Sequence, residues 1–376
     1  MRAAPTPAES AIFGSREHLD ASRALSELQA RRPIRVRASD EDLIVLPVEG
    51  LNDQRFREFA MLCSPDTPRL IVTQQRAHAI GIETSTPMAL SLTRAVDASG
   101  ILGFAAGNKS HFAAEAEAAS YAATAAIRLI KLVRGLPAIL AASATAIDGD
   151  MVQTIPVAEA EAINRFVADA ANSLAVASEA SIPLASGTSA RFVVFRDALG
   201  VDQVAIIVGK PDHSKPVPVR LHSACLTGDV FGSRRCDCGD QLQLALARLE
   251  YLGGGIILYL AQEGRGIGLA NKMRAYRLQD GGLDTRDANT THGFEDDERD
   301  YGVAALMLRT LNCARIVLLT NNPAKLDGLT KAGIEVAARV PLEAPITPHN
   351  KRYLTTKAVR SGHKLVTLKA SSKDTS

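Results

Sequence analysis

The sequence predicts an α/β (α+β) fold in two domains, each a mixed sheet with packed helices. Three observations carry that prediction. The chain has 376 residues, and single cores tend to split beyond roughly 250 to 300 residues. Apolar stretches alternate between strand-like and helix-like periods along almost the whole length. The stretch "SIPLASGTSA" concentrates Pro, Gly and Ser and sets a boundary near residue 185.

Residues 1–14 read as a loose tail, after which "SREHLDASRALSELQARR" has helical spacing and "PIRV" and "LIVLPVEG" are strands. The helix "DQRFREFAMLC", the strands "RLIVTQ" and "ALSLTRAV", a long alanine-rich helix near 113–134 and the strand "PAILAAS" come next. A further helix, "VAEAEAINRFVADAANSLA", completes a domain over 15–185. The second domain, 186–368, opens with the strands "ARFVVFRD", "DQVAIIVG" and "VPVRLHS". It then alternates strands with helices from "CGDQLQLALARLEYLG" to "HNKRYLTTKAV", before a tail at 369–376.

Lys plus Arg number 43 against 41 for Asp plus Glu, a net +2 that leaves no broad footprint for nucleic acid or an anionic membrane. An anionic ligand must therefore be held locally. The N-terminus lacks the apolar core of a signal peptide, and Arg128, Lys131 and Arg134 interrupt the most alanine-rich segment, which argues against a membrane span. A cytoplasmic protein is expected. In a reducing compartment five cysteines are not a disulfide framework; Cys63 and Cys313, each in an apolar helical context, read as core.

The other three, Cys225, Cys236 and Cys238, follow a C-x10-C-x-C pattern in "RLHSACLTGDVFGSRRCDCGDQ". Thiolates suit Zn²⁺, and three protein ligands leave a fourth tetrahedral position open, as in catalytic rather than structural sites. His222 is a candidate fourth ligand for a structural site, and unligated core cysteines are the remaining alternative. Beyond the strand "GGGIILYLAQ", "EGRGIGLANK" is a glycine-rich turn opening a helix, suited to phosphate through free N–H groups and Arg265. A second strand, loop and helix, "ARIVLLTNNPAKLDGL", carries Thr320 and Lys325 at the strand's C-terminal end, with Pro323 where a first-turn proline is favoured. A third element, "FEDDERDYGVAALML", sets Asp297 and Arg299 before an amphipathic helix, where acidic residues also serve the helix dipole.

Taken in order, "HSACLTGD", "RCDCGDQ", "QEGRGIGLANKMRAYRLQ", "DERD", "LLTNNPAK" and "TKAVRSGHKL" closely resemble GTP cyclohydrolase II of riboflavin biosynthesis, over about residues 190–366. That family opens the imidazole ring of GTP, expels C8 as formate and releases pyrophosphate, leaving a diaminopyrimidine ribosylamino 5′-phosphate. The resemblance implies one Zn²⁺ per subunit on Cys225, Cys236 and Cys238, activating the water that attacks C8. GTP contacts carry over to Arg220, His222, Ser223, Gln241, Glu263, Gly264, Arg265, Thr285, Thr320 and Lys325. Tyr276 matches a tyrosine near the reacting base, Asp297 the family's proton acceptor, and Arg299 its assigned nucleophile at the α-phosphorus. An arginine stays protonated, so stabilising transition-state charge is the easier chemistry for Arg299. Mg²⁺ on the triphosphate and a homodimer are further implications.

One departure from the family is Ala224, where many members have a glutamate beside the first zinc cysteine. A related cyclohydrolase that stops at a formamide product, or serves another pathway, is the rival enzyme reading; a zinc-stabilised scaffold or nucleic-acid module is the non-enzyme one. The first domain resembles a degenerate 3,4-dihydroxy-2-butanone 4-phosphate synthase through "ALSELQARRPIRV", "RLIVTQQRAHAIGI" and "LPAIL". That enzyme needs an acidic Mg²⁺ loop and a Gly-His-Thr segment. Here Asp40, Glu41 and Asp42 run straight into an apolar strand, and "AEAEAASYAAT" stands in the second place, so the domain is expected to be catalytically silent.

Overall fold

Side-chain caps punctuate the first part of the chain. Ser15 accepts from the His18 amide and starts α1 (Arg16–Gln29), whose Ala21, Ala24, Leu25 and Leu28 form a buried stripe. β1 (Ile34–Ala38) and β2 (Glu41–Pro47) then pair as an antiparallel hairpin. Asn52 caps α2 (Asp53–Leu62), and β3 (Arg69–Val72) runs into α3 (Gln74–Ala79) through the Thr73 cap. β4 (Met88–Ser91), α4 (Ala98–Ala106) and β5 (Ala116–Ala118) precede α5 (Tyr121–Leu132), which Ser120 caps. β6 (Ala138–Ser143), α6 (Gly149–Thr154), β7 (Val157–Glu159) and α7 (Ala160–Ala170) follow.

These strands form a seven-stranded sheet in the order β5-β4-β3-β6-β2-β1-β7. All its pairs are antiparallel except β1 with β7. The alanine-rich helix begins at Tyr121 rather than near 113, because Ala116–Ala118 pairs with β4 as an edge strand and Ser120 then supplies the cap. Similarly, the helix expected from Val157 starts three residues later, since Val157–Glu159 pairs with β1. The core of this sheet includes Ile44, Leu70, Ile101, Leu140 and Cys63, each 0% exposed. Burial pushes the Cys63 thiol up to about 12, as befits an inert core residue.

The structure is a computed structural model that describes residues 15–344 other than 94, 108–114, 148 and 284, and leaves the side chains of 146, 171, 285 and 286 undescribed. Both expected tails, the "TKAVRSGHKL" motif and the stretch "HNKRYLTTKAV" lie outside the described residues.

The second sheet starts earlier than the composition suggests. β8 (Ala175–Pro183) and β9 (Ser189–Arg196) form a hairpin whose turn is closed by the Leu184 amide donating to the Thr188 carbonyl at 2.8 Å. The stretch that reads as a linker thus has turn chemistry for a different reason. β10 (Asp202–Gly209), β11 (Val217–Ser223), α8 (Cys238–Tyr251) and β12 (Gly254–Leu260) continue the chain. After them come α9 (Leu269–Asp280), α10 (Thr285–Thr291), α11 (Gly302–Thr310), β13 (Arg315–Leu319), α12 (Pro323–Lys331) and β14 (Glu335–Val340).

This sheet runs β14-β13-β11-β12-β10-β9-β8. Its β14, β13, β11 and β12 are parallel and the rest antiparallel. Val219, Leu221, Leu258 and Ile316 pack with Ala304, Met307 and Leu308 of α11, whereas Ile257 and Val208 pack with Ala245 and Leu249 of α8. By their internal contacts, residues up to 169 and 270–297 form one unit, and residues 170–269 and those from 298 form the other. Among the described residues no helix is long and apolar enough to cross a membrane.

Leu258 is 0% exposed at the centre of the second sheet. Leu258→Ala is expected to lower unfolding free energy by about 2–5 kcal/mol, read by urea denaturation. A change below about 1 kcal/mol would mean that this layer is not close-packed.

Candidate functional site

Parallel strands end at the same edge, and in the second sheet β11, β12 and β13 deliver three loops there. The loop after β11 is unusual. Cys225 is followed by a π-helical turn over Leu226–Val230, and the chain returns through Cys236 and Cys238 at the start of α8. The three Sγ atoms lie within 4.8 Å of one another, with Cys225 Sγ and Cys236 Sγ 3.7 Å apart. The Cys225 sulfur holds the Cys236 thiol above its ordinary value, and a cation among the sulfurs would reverse that preference by favouring thiolates. Among the described residues this is the one group of three or more His, Cys, Asp or Glu side chains gathered closely enough for a metal. Its soft donors fit zinc.

Two features hold the loop. A Cβ on Gly228 would sit 2.8 Å from Cys236 Sγ and 3.1 Å from Cys225 Sγ, so only glycine allows the backbone this close to the sulfurs. Asp229, which the sequence reading passes over, is the second. Its carboxylate accepts from the Cys225 amide at 2.9 Å, from Tyr259 Oη at 2.9 Å and from His222 Nε2 at 3.0 Å. Tyr259 on β12 also stacks on His222, with ring centroids 5.5 Å apart. Burial lowers the His222 pKa against the opposing pull of Asp229, and because a carboxylate accepts, Nε2 carries the hydrogen of this contact. His222 Nε2 is thus engaged by a carboxylate, and the histidine is not among the side chains gathered closely enough to share a metal with the three sulfurs. Glu263 adds a further tie, its carboxylate accepting from the Leu226 amide at 2.7 Å.

Cationic groups gather at the same edge. Arg220 is 5% exposed and donates to the Leu319 carbonyl at 3.0 Å and to Gln241 Oε1 at 2.5 Å. Burial pushes Arg220 down to about 10, and the charge of Arg299 acts in the same direction. It remains a cation at neutral pH. Lys325, on the first turn of α12, donates to the Leu221 carbonyl at 2.7 Å, and its charge is felt at His222. Thr320, 1% exposed, follows β13 and accepts from the Asn322 amide at 3.0 Å; Asn322 in turn caps α12, with Pro323 in the first turn as expected.

Three buried polar atoms at this edge, Arg220 Nε, His222 Nδ1 and Ser223 Oγ, have no hydrogen-bond partner among the described residues. Buried polar atoms are normally paired, so such a group marks capacity for a ligand. After β12, Gly264 and Arg265 both adopt left-handed backbone, at φ +64° and +65°. For Arg265 that is strained, a state found mainly at functional sites.

Arg299 lies over the Tyr301 ring at 5.7 Å, in the second unit. Tyr276, the Thr285 backbone and Asp297 belong by contact to the first. Tyr276 is on α9 with Lys272 Nζ 5.7 Å from its ring centroid, Thr285 opens α10 with its side chain outside the described atoms, and Asp297 sits half-buried on irregular chain before α11. First-domain residues fasten this segment: Thr73 Oγ1 donates to the Gly293 carbonyl at 2.7 Å, Arg76 Nη1 to the Thr291 carbonyl at 2.8 Å and Gln75 Nε2 to Glu295 Oε1 at 2.8 Å.

Gly228→Ala is expected to cut bound metal per chain well below that of the wild type, measured by plasma emission on dialysed protein. Full metal content would mean that the loop yields easily. Asp229→Asn keeps the shape but loses the charge, and should weaken metal affinity by about 10- to 100-fold.

Comparison with known proteins agrees with this geometry. The GTP cyclohydrolase II family model matches residues 175–341. A GTP cyclohydrolase-2 of Azospirillum brasilense is 47% identical over 246 residues, covering 64% of each chain. The riboflavin biosynthesis protein RibBA of Parabacteroides distasonis is 49% identical over 180 residues, 48% of this chain and 44% of that one. A GTP cyclohydrolase-2 of Xylella fastidiosa aligns through both units, at 40% identity over 373 residues, 96% of this chain and 91% of the relative. Kinship on that scale, spanning the sulfur cluster and the sheet that carries it, makes the chain a member of the GTP cyclohydrolase II family.

Proposed function

We propose that the chain hydrolyses GTP at the C-terminal edge of the second sheet, giving formate, pyrophosphate and 2,5-diamino-6-ribosylamino-4(3H)-pyrimidinone 5′-phosphate. Membership of the family makes it a GTP cyclohydrolase of riboflavin biosynthesis. The observation that supports the finer reading is the sulfur triad lying on the same strand ends as three unpaired buried polar atoms and a set of cations. Zinc on Cys225, Cys236 and Cys238 would supply an acidified water for attack at C8.

The protein's own groups do the rest. Arg220 and Lys325, with Arg265 and the amides of its turn, bind the triphosphate, aided by Mg²⁺. His222, Ser223, Gln241, Glu263, Gly264, Thr285 and Thr320 complete the GTP contacts. Asp297 takes the proton released as water adds to C8, with Tyr276 beside the reacting base. Arg299 stabilises the charge that develops when the bond between the α- and β-phosphates breaks, a role suited to a permanent cation. The working form is a cytoplasmic homodimer.

For the first domain, 15–185, the reading is catalytic silence combined with support. Asp42, which an acidic Mg²⁺ loop would need free, is paired with Arg35 and Arg37 on the neighbouring strand. The contacts of Thr73, Gln75 and Arg76 give the domain a different use, since they hold the segment that carries Tyr276 and Asp297. The unit of function is then larger than residues 186–368.

Cys236→Ser is expected to lose zinc and GTP turnover together, followed by metal analysis and by mass identification of products. Turnover in a verified zinc-free variant would refute hydrolytic zinc. Arg76→Met should leave zinc bound while kcat falls by on the order of 10- to 100-fold, the usual consequence of a small misplacement. An unchanged kcat would remove the supporting role. The full-length chain should form no butanone phosphate from ribulose 5-phosphate.

A further inference from the structure

The first unit contains a cavity of about 850 Å³, and none of its lining residues is among those proposed for the GTP reaction. Its volume falls in the range of small-molecule sites. One wall comes from the α4 region and the other from α9 and the chain that follows it, with Leu102, Leu136, Leu278 and Leu283 supplying apolar surface.

The charge on this lining is unbalanced. Arg76, Arg274 and Arg277 face it with a single carboxylate, Glu49. Arg274 donates to Glu49 Oε1 at 2.7 Å, and the other Glu49 oxygen accepts from the Leu136 amide at 3.2 Å, so that carboxylate is committed to one arginine. Arg76 is 1% exposed and spends its guanidinium on the carbonyls of Phe104, Gly103 and Thr291, which fixes a buried positive charge beneath the floor. Arg277, one turn beyond Arg274 on α9, is exposed at the rim and makes no ion pair or side-chain hydrogen bond among the described residues. An apolar slot with an excess of guanidinium and a free planar donor at its mouth selects for an anion whose body is apolar.

We propose that this cavity binds a small anion with a flat aromatic body, its sulfonate, carboxylate or phosphate on Arg277 and its rings between the leucine walls. The occupant touches α9 on either side of Tyr276, since Arg274 and Arg277 flank that residue. A site of this kind gives the silent domain a ligand of its own, and places that ligand on the segment the domain holds.

The test is a fluorescence titration of the full-length, zinc-loaded protein with 8-anilinonaphthalene-1-sulfonate, alongside the neutral dye N-phenyl-1-naphthylamine. The anionic dye should saturate at one per chain and bind at least about tenfold more tightly than the neutral one, the scale of a hydrogen bond to a charged group. Arg277→Glu should raise its Kd by about tenfold or more, and Ala79→Phe, which fills the slot, should abolish saturable binding. Equal affinity for the two dyes, unsaturable binding, or unchanged affinity in either variant would overturn the proposal. The comparison of dyes on the wild type decides even if a variant fails to fold. The titration needs no GTP, so its outcome is independent of the role given to Tyr276.

Discussion

The parallel pairing of β11 with β12 on one side and β13 on the other is the constraint from which the site follows. Because the three strands run the same way, the loops after Ser223, Leu260 and Leu319 emerge at one edge. Residues far apart in sequence then become neighbours: Arg220 reaches the Leu319 carbonyl, Lys325 the Leu221 carbonyl, and Glu263 the Leu226 amide. A register slip by one residue in β11 would turn His222 and Arg220 to the opposite face and dissolve all three links. The two faces of the sheet are filled by α8 and α11, so the strands have little freedom to slip.

Within that frame the cysteine loop is held by electrostatics and close approach together. Asp229 gathers a backbone amide, a tyrosine hydroxyl and a histidine ring on one carboxylate. A buried carboxylate with three donors has its hydrogen-bonding capacity met inside the protein, which fixes the loop around it. Gly228, the residue before it, leaves room for the sulfurs. The π-helical turn joins these two demands, placing a backbone with no side chain beside the ligands and a carboxylate behind them.

Much of this was legible in the sequence because it is local. The C-x10-C-x-C spacing, the strand-to-loop-to-helix units and the Pro323 start of α12 each need only neighbouring residues, and the structure has them where the pattern predicts. What was not legible is long-range. Asp229 reads as a turn residue until Tyr259 from β12 is brought against it. The "SIPLASGTSA" stretch has the composition of a linker, and that of a hairpin turn, and composition alone cannot separate the two. Likewise nothing near Tyr276 or Asp297 signals that residues 270–297 pack with a domain ended a hundred residues earlier. The short α4, "ASGILGFAA", is hidden by its small residues, and only its Asp97 cap hints at it.

The central claim is an open zinc site on the three thiolates at this sheet edge, with His222 outside the ligand set. Zinc-edge X-ray absorption on the purified, zinc-loaded protein tests it directly. The account predicts three sulfur scatterers at about 2.3 Å and one light oxygen, the pattern of a site with an exchangeable position. Imidazole scattering from a histidine ligand, or a shell without three sulfurs, would contradict it.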